Sequence, residues 1–180
     1  VIKYAKAHGV LKGWTIMSEK LEAEILEILE NDAKTAPEDI AAMTGAAEEE
    51  VRAAVDKLEN NKVIVKYIAI INREKTNAEE AEALIEVKVV PTRGLGYDDL
   101  AERIYKFSEV KSVYLMSGTY DLAVIVHAQS MKQISQFVFE KLAVLDGVSS
   151  TVTHFIMRKY KEQGVIFTEK KEAERLVVSP

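Results

Sequence analysis

The sequence contains no cysteine. That removes disulfides, thiol nucleophiles and thiolate metal sites together, and a reducing cytoplasm suits such a chain. No apolar run approaches the length of a membrane span, and no segment reads as a secretory signal. Histidine is scarce: His8, His127 and His154 are far apart, two of them in strand-like segments, and read better as core or interface residues than as metal ligands. Basic side chains are rare in the first half, where residues 18–60 carry 13 Asp and Glu against 4 Lys and Arg. Residues 82–162 are balanced, 10 against 10. This asymmetry separates two regions within 180 residues, a length that suits one large domain or two small ones.

What is present is patterned. The first 16 residues precede a Met-Ser-Glu and read as a translated leader or an added extension, so they are set aside. Residues 19–32, EKLEAEILEILEND, place Leu21, Ile25, Ile28 and Leu29 on one helical face. Thr35-Ala36-Pro37-Glu38 has the spacing of a capping box and opens a short second helix reaching Met43. Gly45 supplies a turn, and a third helix runs from Glu48 to Glu59 with Val51, Ala54, Val55 and Leu58 facing inward. KVIVKYIAIIN then reads as one or two strands, the wing of a winged helix-turn-helix domain over residues 17–72. An acidic stretch reads as a hinge over residues 73–82.

Residues 83–163 read as strand, helix, strand, twice over: ALIEVKVV, YDDLAERIYKF, VKSVYLM, DLAVIVHA, MKQISQFVFEKLAVL and SSTVTHFIM. Ser117-Gly118-Thr119 joins the second and third strands, and Ser130 with Gln133 forms a capping box for the second helix. The predicted class is α+β, a ferredoxin-like domain behind a winged helix-turn-helix, with a tail from residue 164. LAVIV does not alternate, so it should be covered on both faces; helices cover one, and a second copy of the chain would cover the other. RGLGYDD, residues 93–99, lacks the third glycine of a dinucleotide loop and reads as a loop-to-helix turn.

This order, with LMSGTYDLAVIV and GVSSTVTHFIMRKYKEQG in the second domain, resembles the leucine-responsive/asparagine-operon (Lrp/AsnC) regulators from Leu21 to Gly164. The resemblance implies transcription regulation, double-stranded DNA as partner, dimers assembling into octamers or similar discs, and a small effector, most often an amino acid, at oligomer interfaces. It implies no cofactor, no metal and no catalytic residue. Effector contacts would come from Leu115, Met116, Ser117, Gly118, Thr119, Asp121, Thr151 and Thr153, with Asp121 taking an ammonium group and the threonines a carboxylate. DNA contacts would come from Arg52 and Lys57 on the third helix, Lys34 before the second, and Lys62 and Lys66 in the wing.

The departures from the family pattern are as informative. Ala47 stands where a small hydroxyl residue usually caps the third helix, Ala54 where arginine is usual and Lys62 where glycine is usual. Glu48, Glu49 and Glu50 suit the positive end of the helix dipole but repel phosphate. A ligand sensor with weak or no DNA contact is therefore the alternative reading. Sirohaem decarboxylases share the architecture, but their histidine- and arginine-rich motifs are not found in this sequence.

Overall fold

The computed structural model describes residues 18–77, 79–90 and 96–167. The expected leader, the first three residues of the RGLGYDD turn and most of the tail lie outside them. The chain divides into two compact units, Val1–Ala69 and Ile70–Pro180.

The first unit holds three helices: α1 over residues 18–31, α2 over Pro37–Thr44 and α3 over Glu48–Asn60. Ile25, Ile40, Val51 and Leu58, one or two from each helix, form its buried centre. Leu21, Ile28, Leu29, Ala54 and Val55 pack around them, so the inward faces are those set by the heptad-like spacing. Pro37 occupies the first helical position of α2, which makes Ala36 and not Thr35 the cap residue. Thr35 turns its hydroxyl back to the Asp32 carbonyl instead, at 2.8 Å, so the expected capping box does not form. Gly45 ends α2 at φ 73°, a left-handed conformation that glycine adopts without strain.

At α3 the missing cap is half replaced. Ala47 offers no side-chain acceptor, but the Glu50 carboxylate accepts from the Ala47 N–H at 3.1 Å. The far end closes as a Schellman motif, with the Val63 N–H donating to the Leu58 carbonyl and the Lys62 N–H to the Glu59 carbonyl. Lys62 sits in that motif at φ 60°, the position where glycine is the favoured residue.

The segment expected to be a wing forms no strand in this chain. Residues 65–71 make no backbone–backbone hydrogen bond among the described residues, and Val65, Ile68 and Ile71 are exposed. β-branched residues favour extended backbone, but a strand exists only where a partner supplies its hydrogen bonds.

The second unit is a four-stranded antiparallel sheet with two helices on one face. The strands are β1 (Ala81–Val89), β2 (Val110–Leu115), β3 (Leu122–Ala128) and β4 (Val148–Phe155), in the order β2-β3-β1-β4. α4 (Tyr97–Tyr105) and α5 (Met131–Phe137) supply Leu100, Ile104, Ile134 and Phe137 to a core completed by Ala83, Ile85, Val87, Leu122, Val124 and Val126. Ser130 caps α5 by accepting from the Gln133 N–H, and α5 runs on into a π-turn over Val138–Leu142. This is the ferredoxin-like βαββαβ order.

In β3 the alternate residues Ala123 and Ile125 face away from the helices, yet Ala123 is buried and Ile125 half-buried within the single chain. Their neighbours on that face include two histidine–carboxylate contacts, His127 with Glu82 at 3.0 Å and His154 with Glu86 at 3.2 Å. Lys159 joins Glu82 at 2.7 Å. A small hairpin follows, β5 (Lys161–Glu162) with β6 (Val165–Ile166), turned by Gln163 at φ 46° and Gly164 at φ 82°. It straddles the expected domain end at residue 163.

Candidate functional site

Two sets of side chains were expected to carry function, one in each unit. In the helical unit, the outward side of α3 carries only two cations, Arg52 and Lys57, and both are engaged. The Arg52 guanidinium donates to Glu38 of α2 at 2.8 Å and to Glu48, one turn back on α3, at 2.8 Å. Hydrogen bonding to Glu48 first, and the field of Glu38 and Glu49 after it, hold the guanidinium still more firmly protonated than usual. Lys57 donates to Glu22 of α1 at 2.6 Å, which together with Ser18 holds the Glu22 carboxyl below the usual carboxylate range. So Glu48 and Glu50 have separate local tasks, one pairing and one capping.

Lys34, Lys62 and Lys66 differ. All three are exposed, and no ion pair involves them among the described residues. Lys34 lies in the turn before α2, where its N–H donates to the Asp32 carboxylate at 2.9 Å. A hollow of about 480 Å³ opens there, lined by Asp32, Lys34, Thr35, Asp39, Ala42 and Met43. Lys62 and Lys66 follow the end of α3. The cations available without breaking a contact therefore sit at the two ends of the helix pair and not on α3 itself.

In the sheet unit, β2 and β3 are joined by residues 116–121, closed by the Met116 N–H donating to the Asp121 carbonyl at 2.8 Å. Leu115, Met116, Ser117, Gly118 and Thr119 are all exposed on this turn. Nothing lies within reach of a side chain added at Gly118, so the glycine leaves open space above it. Asp121 is not free. Its Oδ2 accepts from the Val89 N–H at 2.8 Å and its carboxylate lies 3.3 Å from the Lys88 ammonium. Those two contacts, the backbone one foremost, hold the Asp121 carboxyl below its usual value.

The Asp121–Val89 bond explains a local irregularity. The β1–β4 register shifts between Lys88 and Val89, and the carboxylate supplies the acceptor that the Val89 N–H needs at that bulge. The sequence reading missed Lys88, whose pairing with Asp121 spans 33 positions and leaves no local signal.

Thr151 and Thr153 are not brought to Asp121 within one chain. Thr151 pairs with Val87 and Thr153 with Ile85, so both lie on the helix-covered side of β4. β4 is two strands from β3, about 10 Å at the usual spacing. One chain thus presents the turn and Asp121 in one place and the threonine pair in another.

No helix among the described residues is long and apolar enough to cross a membrane. Among known proteins, the Lrp/AsnC ligand binding domain matches residues 82–166. The chain is 50% identical to the HTH-type transcriptional regulator YugG of Bacillus subtilis over 160 residues, 88% of this chain and 96% of the relative. It is 30% identical to the HTH-type transcriptional regulator LrpA of Pyrococcus horikoshii, covering 81% of this chain and all of LrpA. In solved structures, E. coli AsnC superposes with a TM-score of 0.63 at 20% identity, over 79% of this chain and 94% of that one. A Neisseria meningitidis transcriptional regulator in complex with L-Met gives 0.65 at 21% identity, over 79% and 92%.

Proposed function

The chain belongs to the Lrp/AsnC family of transcriptional regulators, and on that premise we propose that it binds double-stranded DNA weakly, as an assembly of several copies, under the control of an amino-acid effector. The observation that carries the weak-binding part is the engagement of Arg52 and Lys57 by carboxylates of their own unit. A phosphate reaching α3 has to displace Glu38 or Glu48 from Arg52, or Glu22 from Lys57. Lys34, Lys62 and Lys66 make the first contacts, and avidity across copies supplies what one copy lacks. The strand-like, exposed backbone of residues 65–71 supports assembly, because its N–H and C=O groups, with Val65 and Ile68 beside them, can pair with a second chain. The small-molecule site is the β2–β3 turn with Asp121, completed by Thr151 and Thr153 of a neighbouring copy.

The relatives are regulators, and the reading is of a non-enzymatic, cytoplasmic protein. The same engagement of Arg52 and Lys57 favours one second reading, an oligomeric ligand sensor with little direct DNA contact. Mobility-shift titration on DNA from upstream of the protein's own coding sequence separates the two. Replacing Glu38 and Glu48 together by Gln frees Arg52 and removes two charges. Binding should tighten and its salt dependence steepen by about one unit in the log–log slope, one phosphate contact's share. Unchanged affinity would place α3 away from the phosphates and support the sensor reading.

A further inference from the structure

The Asp121 carboxylate is fixed and its lysine is not. One oxygen is held by the Val89 N–H at 2.8 Å, and the Asp121 side chain keeps only 17% of its surface exposed. Lys88 stands 3.3 and 3.4 Å from the two oxygens, longer than a good charge-assisted contact, with 46% of its side chain exposed. The Lys88 backbone is anchored separately, its carbonyl accepting from the Ser149 hydroxyl at 3.1 Å, so only the side chain is loose. The arrangement is a preformed cation site, occupied loosely by the chain's own ammonium group.

From this geometry we infer that Lys88 is a specificity-determining residue of the effector site, exchanging Asp121 for the effector's carboxylate and so favouring ligands that carry a free carboxylate beside the amine. The inference rests on the proposed effector site at Asp121. An incoming α-ammonium competes with Lys88 for the Asp121 carboxylate. If the ligand is an amine alone, one cation replaces another and Lys88 is left without an anion. If the ligand is an amino acid, its carboxylate sits one carbon from the ammonium and within reach of the displaced lysine. Every charge then has a partner before and after, and the exchange costs no unpaired ion. Lys88 thereby adds to the threonine hydroxyls the one full positive charge that a carboxylate prefers.

The test uses the full-length oligomer and isothermal titration with the twenty common amino acids, followed by the α-carboxamide of each that binds. The parent should prefer the acid to its amide by about tenfold, the low end for a hydrogen bond to a charged group. Lys88→Gln should bind acid and amide equally, while Lys88→Arg keeps the preference. Asp121→Asn, which retains an amide oxygen for the Val89 N–H, should lose both ligands while the protein stays folded and keeps the parent's oligomeric state. A Lys88→Gln protein that still prefers the acid overturns the role of Lys88 and leaves the Asp121 site standing. A parent that binds the amide as tightly as the acid overturns it too. A parent that binds none of the twenty, or an Asp121→Asn protein that binds as the parent does, removes the effector site itself and Lys88's part in it.

Discussion

Replacing Lys62 by glycine should stabilise the helical unit although it deletes a charge and the surface contacts of five side-chain heavy atoms. Lys62 occupies the left-handed position of the Schellman motif that ends α3, at φ 60°. An L-residue with a Cβ pays about 1–2 kcal/mol there. Glycine removes that strain but gives the unfolded chain more freedom, at a cost of about 0.4–1 kcal/mol. The side chain is exposed and in no ion pair among the described residues, so little else changes. The net gain is about 0.5–1 kcal/mol, which for a domain of this size raises the melting temperature by about 2–8 °C. Circular dichroism at 222 nm follows the helices during melting of the full-length protein. Lys62→Ala is the control, since it removes the same charge and keeps the Cβ. A glycine variant that melts no higher than the alanine variant would refute the strain argument. Both variants should lose the same fraction of DNA affinity, because both lack the ammonium group.

Acid should weaken the tie between the turn before β2 and the π-turn that follows α5. Hydrogen bonding from Lys141 holds the Glu109 carboxyl below its usual value, so the stabilisation is complete above about pH 4.3, the unfolded value, and is lost as pH falls through the lower folded value. Glu109→Gln should flatten stability against pH in that acid window by lowering the neutral plateau, and should leave the slope against pH on the neutral-to-basic side unchanged, as read by urea titrations at stepped pH. In the sheet core, Ile85 is fully buried beneath the helices, and Ile85→Ala should cost about 2–5 kcal/mol in a urea titration. A loss below 1 kcal/mol would mean that the core collapses around the gap.

Periodicity made the helices and strands legible because burial in this fold follows one face of each element. Val51 and Leu58, Leu100 and Ile104, Ile85 and Val87 all lie where the 3.6- and 2-residue repeats put them. The α2 cap was displaced by one residue because the proline, and not the threonine, fixes where the helix begins. The wing failed for another reason: residues 65–71 have the propensity of a strand, but propensity does not name the neighbour that must pair with it. In the site, the turn and Asp121 were legible as local chemistry. Glu48–Arg52 has the four-residue helical spacing and was readable from sequence, whereas Glu38–Arg52, Glu22–Lys57 and Lys88–Asp121 join distant segments. Those tertiary pairs are what turns a count of basic residues into a statement about which of them are available.

The strand order also sets a schedule for synthesis on the ribosome. β1 is central, but its two neighbours are β3 and β4, and β4 ends at Phe155, long after β1 ends at Val89. At about 5–20 residues per second, roughly 3–13 seconds pass between the emergence of the first and the last of these strands. α1, α2 and α3 need only each other and can fold within that interval. Ala83, Ile85 and Val87 meanwhile have no sheet to enter, and the nascent chain carries this apolar strip unprotected until the C-terminal third is made. A chaperone that engages the emerging polypeptide would find its grip there, and slower translation of residues 90–155 would lengthen the hold.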